Sequence, residues 1–184
     1  MTPSARRWLR TGLCATERLL AVVGLCALIY HTCFDFSVVI SGSMSPALQG
    51  ENEATGDRVL YEKLTGRFRT PRRWEIQQFH TPEGLTVAKR VVGLPGERIS
   101  LRDGILCIDG KPLPIPARLA YLHYYPFGNL AKGHEVNCVS GYYLLGDDSR
   151  DSYDSRYNGV LSAERFTARA WLTLGPRGRY GFVR

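Results

Sequence analysis

Leu85-Thr86-Val87-Ala88-Lys89-Arg90-Val91-Val92-Gly93 decides how this chain is read. The run is rich in valine and closes on glycine, which marks a strand. Side chains alternate across a strand with period two, so Val87, Lys89 and Val91 share one face. A lysine on an apolar face has two accounts. In one, the face meets solvent at its edge, or the ammonium reaches water along its own methylene stem. In the other, the amine is desolvated, its charged form is disfavoured and its pKa falls. Bringing a lysine from ~10.4 toward ~7–8 takes roughly 3–5 kcal/mol at 1.36 per unit, within what burial supplies. The run by itself favours the solvated account.

Runs of the same kind lie on both sides of it. Strands are expected at Phe36–Ile40, Arg58–Glu62, Glu75–Phe79, Leu85–Val92, Arg98–Leu101, Ile105–Ile108, Gly141–Leu145 and Thr167–Leu174. Asp103-Gly104 and Asp109-Gly110 are two-residue hairpin signals. Pro112 to His134, with four prolines and several tyrosines, reads as an irregular excursion. No long amphipathic helix, internal repeat or low-complexity linker interrupts the pattern. The fold class is therefore mainly β, a compact antiparallel domain over residues 37–184.

The 184 residues suffice for one domain with an appendage. With 44% hydrophobic and 22% charged residues, the composition is that of a folded protein. The net charge is +7, of which residues 1–34 contribute +3. A mildly basic body suits anionic lipid headgroups. Its basic residues are scattered, with no RNP, zinc-knuckle or basic-helix pattern, so no nucleic-acid partner is expected. Cys14, Cys26 and Cys33 read as small hydrophobes in the N-terminal arm. Cys107 and Cys138 lack metal-ligand spacing, and no metal is expected. A disulfide between them and two separate buried thiols are evenly matched readings.

Leu19 to Tyr30 is apolar without a break, and the segment extends from Leu13 to Phe36 by taking in Glu17, Arg18, His31 and Thr32. That gives the length of a membrane span, with charges near the ends able to snorkel. A removable signal peptide is the competing reading. No A-x-A site follows the run, and neither Cys26 nor Cys33 has a lipobox, so a retained anchor over 13–36 is preferred. Residues 1–12 form a basic arm whose Arg6, Arg7 and Arg10 hold the N-terminus in the cytoplasm. The expected location is the inner membrane, single-pass, with the body outside the cytoplasm and no second span before Arg184.

Three clusters carry possible chemistry. Ser41-Gly42-Ser43-Met44-Ser45-Pro46 places a hydroxyl within roughly 30 Å of the apolar segment's end, at ~3.3–3.6 Å per residue. A serine hydroxyl is inert at neutral pH until a base takes its proton. His31 lies in the apolar segment, and His80, His123 and His134 lie in Pro- or Gly-flanked loops outside any triad setting. Lys89 is the better base, as in Ser-Lys variants of the serine triad. The third cluster, Gly146-Asp147-Asp148-Ser149-Arg150-Asp151-Ser152-Tyr153-Asp154-Ser155-Arg156-Tyr157, has the acidity of a calcium loop. It lacks the EF-hand glycine and glutamate positions, and two arginines offset its charge.

In this order behind an N-terminal anchor, the three clusters closely resemble those of bacterial type I signal peptidases, over nearly the whole chain. The resemblance implies a β-rich peptidase domain of the type shared with SOS-repressor peptidases. It makes Ser43 the nucleophile, Lys89 the general base, Ser41 an oxyanion donor and Ser152 the serine that orients the lysine. Gly146 leaves room beside the lysine. Asp154 and Arg156 form a structural ion pair, with Arg90 nearby. It implies a membrane-anchored serine endopeptidase without cofactor that removes N-terminal signal peptides from preproteins. Those substrates carry small residues at the first and third positions before the cut, and the expected state is a monomer.

The chain departs from the family pattern at three places. Asp148 stands for the usual asparagine, Trp74-Glu75 for Gly-Asp, and Asn158 for a common tryptophan. The large inserted β domain of some members is also missing. A dedicated peptidase of one substrate, such as a conjugative pilin, has the same chemistry. An inactive membrane-tethered binding protein is the alternative of another class, and the joint presence of Ser41, Ser43, Lys89 and Ser152 opposes it. A self-cleaving repressor is disfavoured by the anchor and by the lack of a DNA-binding half.

Overall fold

Asp103 and Gly104 both adopt positive φ, 50° and 79°, and so do Asp109 and Gly110, at 49° and 77°. These are the turns that let a right-twisted hairpin close in two residues. In the computed structural model they join β5 (Arg98–Arg102) to β6 (Ile105–Ile108) and β6 to β7 (Lys111–Pro112). With β8 (Glu135–Asn137) they make a four-stranded antiparallel sheet in the order β7-β6-β5-β8. The structure describes residues 3–131, 133–176 and 178–183.

The larger sheet comprises β1 (Phe34–Val38), β2 (Arg58–Glu62), β3 (Ile76–His80), β4 (Thr86–Gly93), β9 (Tyr143–Leu145), β10 (Phe166–Leu174) and β11 (Tyr180–Phe182). Its order is β1-β2-β10-β3-β4-β9, with β11 on β10, and every pairing is antiparallel. The fold is thus mainly antiparallel β, with two short helices, α2 (Thr65–Phe68) and α3 (Ser155–Asn158), beside the long N-terminal α1 (Pro3–Cys33).

One apolar cluster, with Trp74, Ile99, Leu106, Leu130 and Tyr143, fills the space under the small sheet. A second joins Met44 and Leu48 to Val59, Tyr61 and Ile76 of the large sheet. Strand β4 runs between these regions and is buried from Lys89 to Gly93, on both faces. That is why its sequence is a near-continuous apolar run rather than a clean alternation.

Within α1, Gly12–Cys33 is long and apolar enough to cross a membrane, and none of that stretch is buried. Twenty-two residues rise about 33 Å, against a hydrocarbon core of ~30 Å. The helix begins ten residues before the expected 13–36 segment and ends three before its end. Phe34 to Phe36 are claimed instead by β1, where Phe34 pairs with Glu62 and its ring stacks on Trp171 at 5.6 Å. Cys107 and Cys138 are both free and buried. Cys107 lies in β6 and Cys138 follows β8, with β5 between them. Two strand spacings of ~4.8 Å exceed the ~7 Å Cα limit for a bridge.

Candidate active site

The chain leaves β1 and makes a single tight turn, Gly42–Met44, anchored by the buried Met44 side chain. Ser45 N–H closes that turn on the Gly42 carbonyl at 2.8 Å. The first N–H groups of such a turn have no partner within it. Ser43 rides on the turn, half-buried, with its Oγ 3.4 Å from the exposed Ser41 Oγ.

Lys89 comes from β4. Its side chain is only 3% exposed, and Nζ stands 2.5 Å from Ser43 Oγ. Among the described residues no carboxylate lies within ion-pair distance of it. Burial disfavours the ammonium and pulls the pKa down to about 8, while Asp154, Asp147 and Asp151 oppose the shift from farther away. The desolvated account of Lys89 therefore holds over the solvated one.

The neighbouring arginine is treated differently. Arg90 is fully buried and forks onto Asp147, Nε to Oδ1 at 2.7 Å and Nη2 to Oδ2 at 2.6 Å. Its Nη1 donates to the Trp74 carbonyl at 2.7 Å, and Tyr121 Oη donates to Asp147 Oδ2 at 2.9 Å.

The loop after β9 closes the site from behind. A Cβ on Gly146 would overlap Ser152 Oγ and stand 2.5 Å from the Ser43 carbonyl oxygen, so only glycine lets the two serines pack together. Asp154 Oδ2 accepts from Gly146 N at 2.9 Å, from Ser152 Oγ at 2.8 Å and from Arg156 Nη2 at 2.8 Å. Arg156 Nη1 donates to Ser149 O and Oγ, both at 2.8 Å. The Asp154–Arg156 pair is fully buried.

The structure brings together Ser41, Ser43, Lys89, Gly146, Ser152, Asp154 and Arg156. The Ser152 hydroxyl donates to Asp154 Oδ2, and among the described residues it makes no direct hydrogen bond to the Lys89 amine. Arg90 is turned to Asp147 rather than to Asp154. The sequence reading assigned no role to Asp147 or Tyr121. Asp147 meets Arg90 because Arg90 faces Leu145 across β4 and β9, a register that only the fold supplies. Nothing in the pattern singled out Tyr121. Of the departures, Asp148 accepts from Arg150 N through Oδ1 at 3.0 Å, a bond asparagine makes equally well. Asn158 is exposed.

A groove opens beside Ser43. Val38, Val39, Ile40 and Ser41 line it together with Thr86, Val87 and Ala88 of β4 and the buried Met44 and Leu48. No cluster of His, Cys, Asp and Glu able to hold a metal ion occurs among the described residues. Chemically, the arrangement is a hydroxyl against a desolvated amine, at the end of a cleft walled by extended backbone.

Residues 13–174 match the family model described as signal peptidase, peptidase S26. A probable signal peptidase I-2 of Synechocystis is 28% identical over 99% of this chain and 80% of its own length. Signal peptidase I of Leptolyngbya laminosa is 32% identical over 77% and 68%. That of Bacillus caldolyticus is 28% identical over 87% and 91%. A crystal structure of a signal peptidase I from Enterococcus faecalis V583 overlays 55% of this chain and 97% of that one, at 30% identity and a TM-score of 0.44. This chain belongs to the signal peptidase family of serine peptidases, peptidase S26.

Proposed function

We propose that the protein is a membrane-anchored endopeptidase that removes N-terminal signal peptides from exported preproteins through a Ser43–Lys89 dyad. The observation that carries this reading is the buried Lys89 amine, 2.5 Å from Ser43 Oγ and free of any ion pair among the described residues. Neutral Lys89 takes the Ser43 proton as Oγ attacks the scissile carbonyl. The oxyanion is held by the Ser43 N–H and the Ser41 hydroxyl, donors of the kind whose single loss costs ~10²–10³ in rate. Protonated Lys89 then gives its proton to the leaving amine. Water, deprotonated by the same amine, hydrolyses the acyl-enzyme. Ser152 and Arg156 hold Asp154, which faces the ammonium as it forms. Gly146 keeps the space between them.

The groove suits an extended peptide lying between the Val38–Ser41 and Thr86–Ala88 segments. Alternate residues of such a peptide point the same way. The first and third positions before the cut therefore share one floor, shaped by Met44 and Leu48, and small side chains fit it. Anchoring by Gly12–Cys33, with Arg6, Arg7 and Arg10 on the cytoplasmic side, places the cut at the outer membrane–water boundary. The test is purified protein in detergent with a preprotein carrying an A-x-A site. Cleavage is expected, and its loss in both Ser43→Ala and Lys89→Ala. Activity retained by either variant overturns the dyad.

A further inference from the structure

The excursion after β7 has no part in the reaction proposed above, yet its residues 123–129 are folded tightly onto the aspartate-rich loop. His123 bridges to Asp148. Tyr125 N–H donates to Ser149 Oγ at 2.9 Å, and Asn129 Nδ2 to the Ser155 carbonyl at 2.9 Å. Gly128 sits so close to Arg156 that a Cβ there would stand 2.8 Å from its carbonyl carbon.

This packing sets aromatic rings in a row. His123 meets Tyr125 edge-on at 4.9 Å, and Tyr125 stacks on Phe127 at 5.9 Å. The Arg156 guanidinium lies 5.7 Å from the Phe127 ring centre. Tyr157, next in the chain, stacks on Tyr153 at 5.1 Å with planes 12° apart. Yet Tyr153 is 69% exposed, Tyr157 50% and Phe127 41%. The rings lie in two stacks, Tyr125–Phe127 against the Arg156 guanidinium and Tyr153–Tyr157 beginning at its chain neighbour, and apolar rings left in water mark interaction sites.

Position selects the occupant. Tyr153 directly follows Ser152, which packs against the Ser43 carbonyl across Gly146. Asp151 Oδ2 lies 4.0 Å from where a Gly42 Cβ would be. The row therefore begins at the turn that carries Ser43. None of its members lines the Val38–Ala88 groove, so a chain bound in that groove leaves by another path. The membrane fits poorly as the occupant. Helix α1 joins the sheet at β1, whereas the row is borne by the segments around β9, the other edge in strand order. Aromatic faces take backbone and apolar side chains of an extended chain with little selection of sequence.

We propose that this row is an exit track that holds the extended polypeptide on the C-terminal side of the scissile bond. The proposal rests on the peptidase reading above. The test uses the full-length protein in detergent and two peptides identical up to the cut. One ends about two residues beyond it and the other about twelve, which reaches roughly 40 Å when extended. Wild type is expected to process the long peptide about tenfold better in kcat/KM, the gain lying in KM. In Tyr153→Ser/Tyr157→Ser that ratio falls to about one. A ratio near one in wild type, or one unchanged in the double variant, overturns the track. Equal losses on both peptides overturn it too, and assign the tyrosines to the site itself or to the bilayer. If wild type cleaves neither peptide, the peptidase reading fails instead. Phe127→Ser, at the far end of the row, is expected to lower the ratio by slowing the long peptide alone, and a full ratio there overturns the extended path.

Discussion

Lys89 and Arg90 are consecutive residues of one strand, both buried and both basic, and the protein treats them in opposite ways. Arg90 receives a bidentate carboxylate, a backbone carbonyl and a phenol. Lys89 receives one serine hydroxyl. Arginine stays charged in any protein environment, so burying it demands a full set of acceptors. Lysine can shed its proton, so burial without a carboxylate converts it to a base. Neighbouring positions thus divide the labour: Arg90 ties β4 to the loop after β9, and Lys89 is given a serine hydroxyl in place of a carboxylate.

The largest effect that breaks this comparison is expected from Lys89→Met. Loss of the base should lower kcat by ~10⁴, at the upper end of what general-base removal costs. The same change should stabilise the fold. The folded pKa of Lys89 is about 8, below the unfolded value near ~10.4, so the folded state binds fewer protons between them. Wild-type stability therefore rises as pH climbs from about 8 toward ~10.4, and below that window burial of the ammonium costs about 3 kcal/mol at 1.36 per unit. Thermal melts of the variant at pH 7 should rise by several degrees and lose that alkaline gain. A melt that falls means Lys89 is structurally paired.

Next in size is the mirror experiment, Arg90→Met. It strands the Asp147 carboxylate in a site of no solvent exposure, and removing one partner of such a pair costs ~3–5 kcal/mol. Melts should fall accordingly, and Arg90→Met/Asp147→Asn should recover part of the loss. A loss of activity without loss of stability would assign Arg90 to the reaction.

The contrast between these neighbours shows how far the sequence reaches. Arg58–Glu62 and Ile105–Ile108 are strands with the expected bounds, because local β-propensity and flanking turn residues agree there. Strands β7, β8 and β11 lie outside the expected runs, β7 being the two residues Lys111–Pro112. Glu135-Val136-Asn137 and Tyr180-Gly181-Phe182 are three residues each, and only pairing with Arg98–Ser100 and Leu172–Leu174 makes them strands. Lys89 could be marked as odd on an apolar face, but its environment depends on what comes from 46 residues away. Trp74 shows the same limit. Its φ of 74° is a backbone region that favours glycine. Here the indole is buried in the core under the small sheet, and that burial offsets a strain of about 1–2 kcal/mol. No local pattern states that exchange.

The smallest effect sharpens the comparison rather than breaking it. Lys89 has no ion pair among the described residues, but three carboxylates act on it from a distance, and Asp151 is the weakest and most exposed of them. Each raises the amine's pKa against the dominant pull of burial. In Asp151→Asn that opposition is reduced, so the pKa of Lys89 should fall and the acid limb of the kcat/KM profile should move to lower pH. Since the neutral amine is the active form, the variant should be faster than wild type below pH 8 and equal to it well above. Salt should shrink the difference, because an exposed charge is screened over ~8–10 Å at physiological ionic strength. A pH–rate series on the short peptide, which leaves the aromatic row empty, reads this shift alone. A limb that moves to higher pH would mean that Asp151 acts on substrate rather than on the amine.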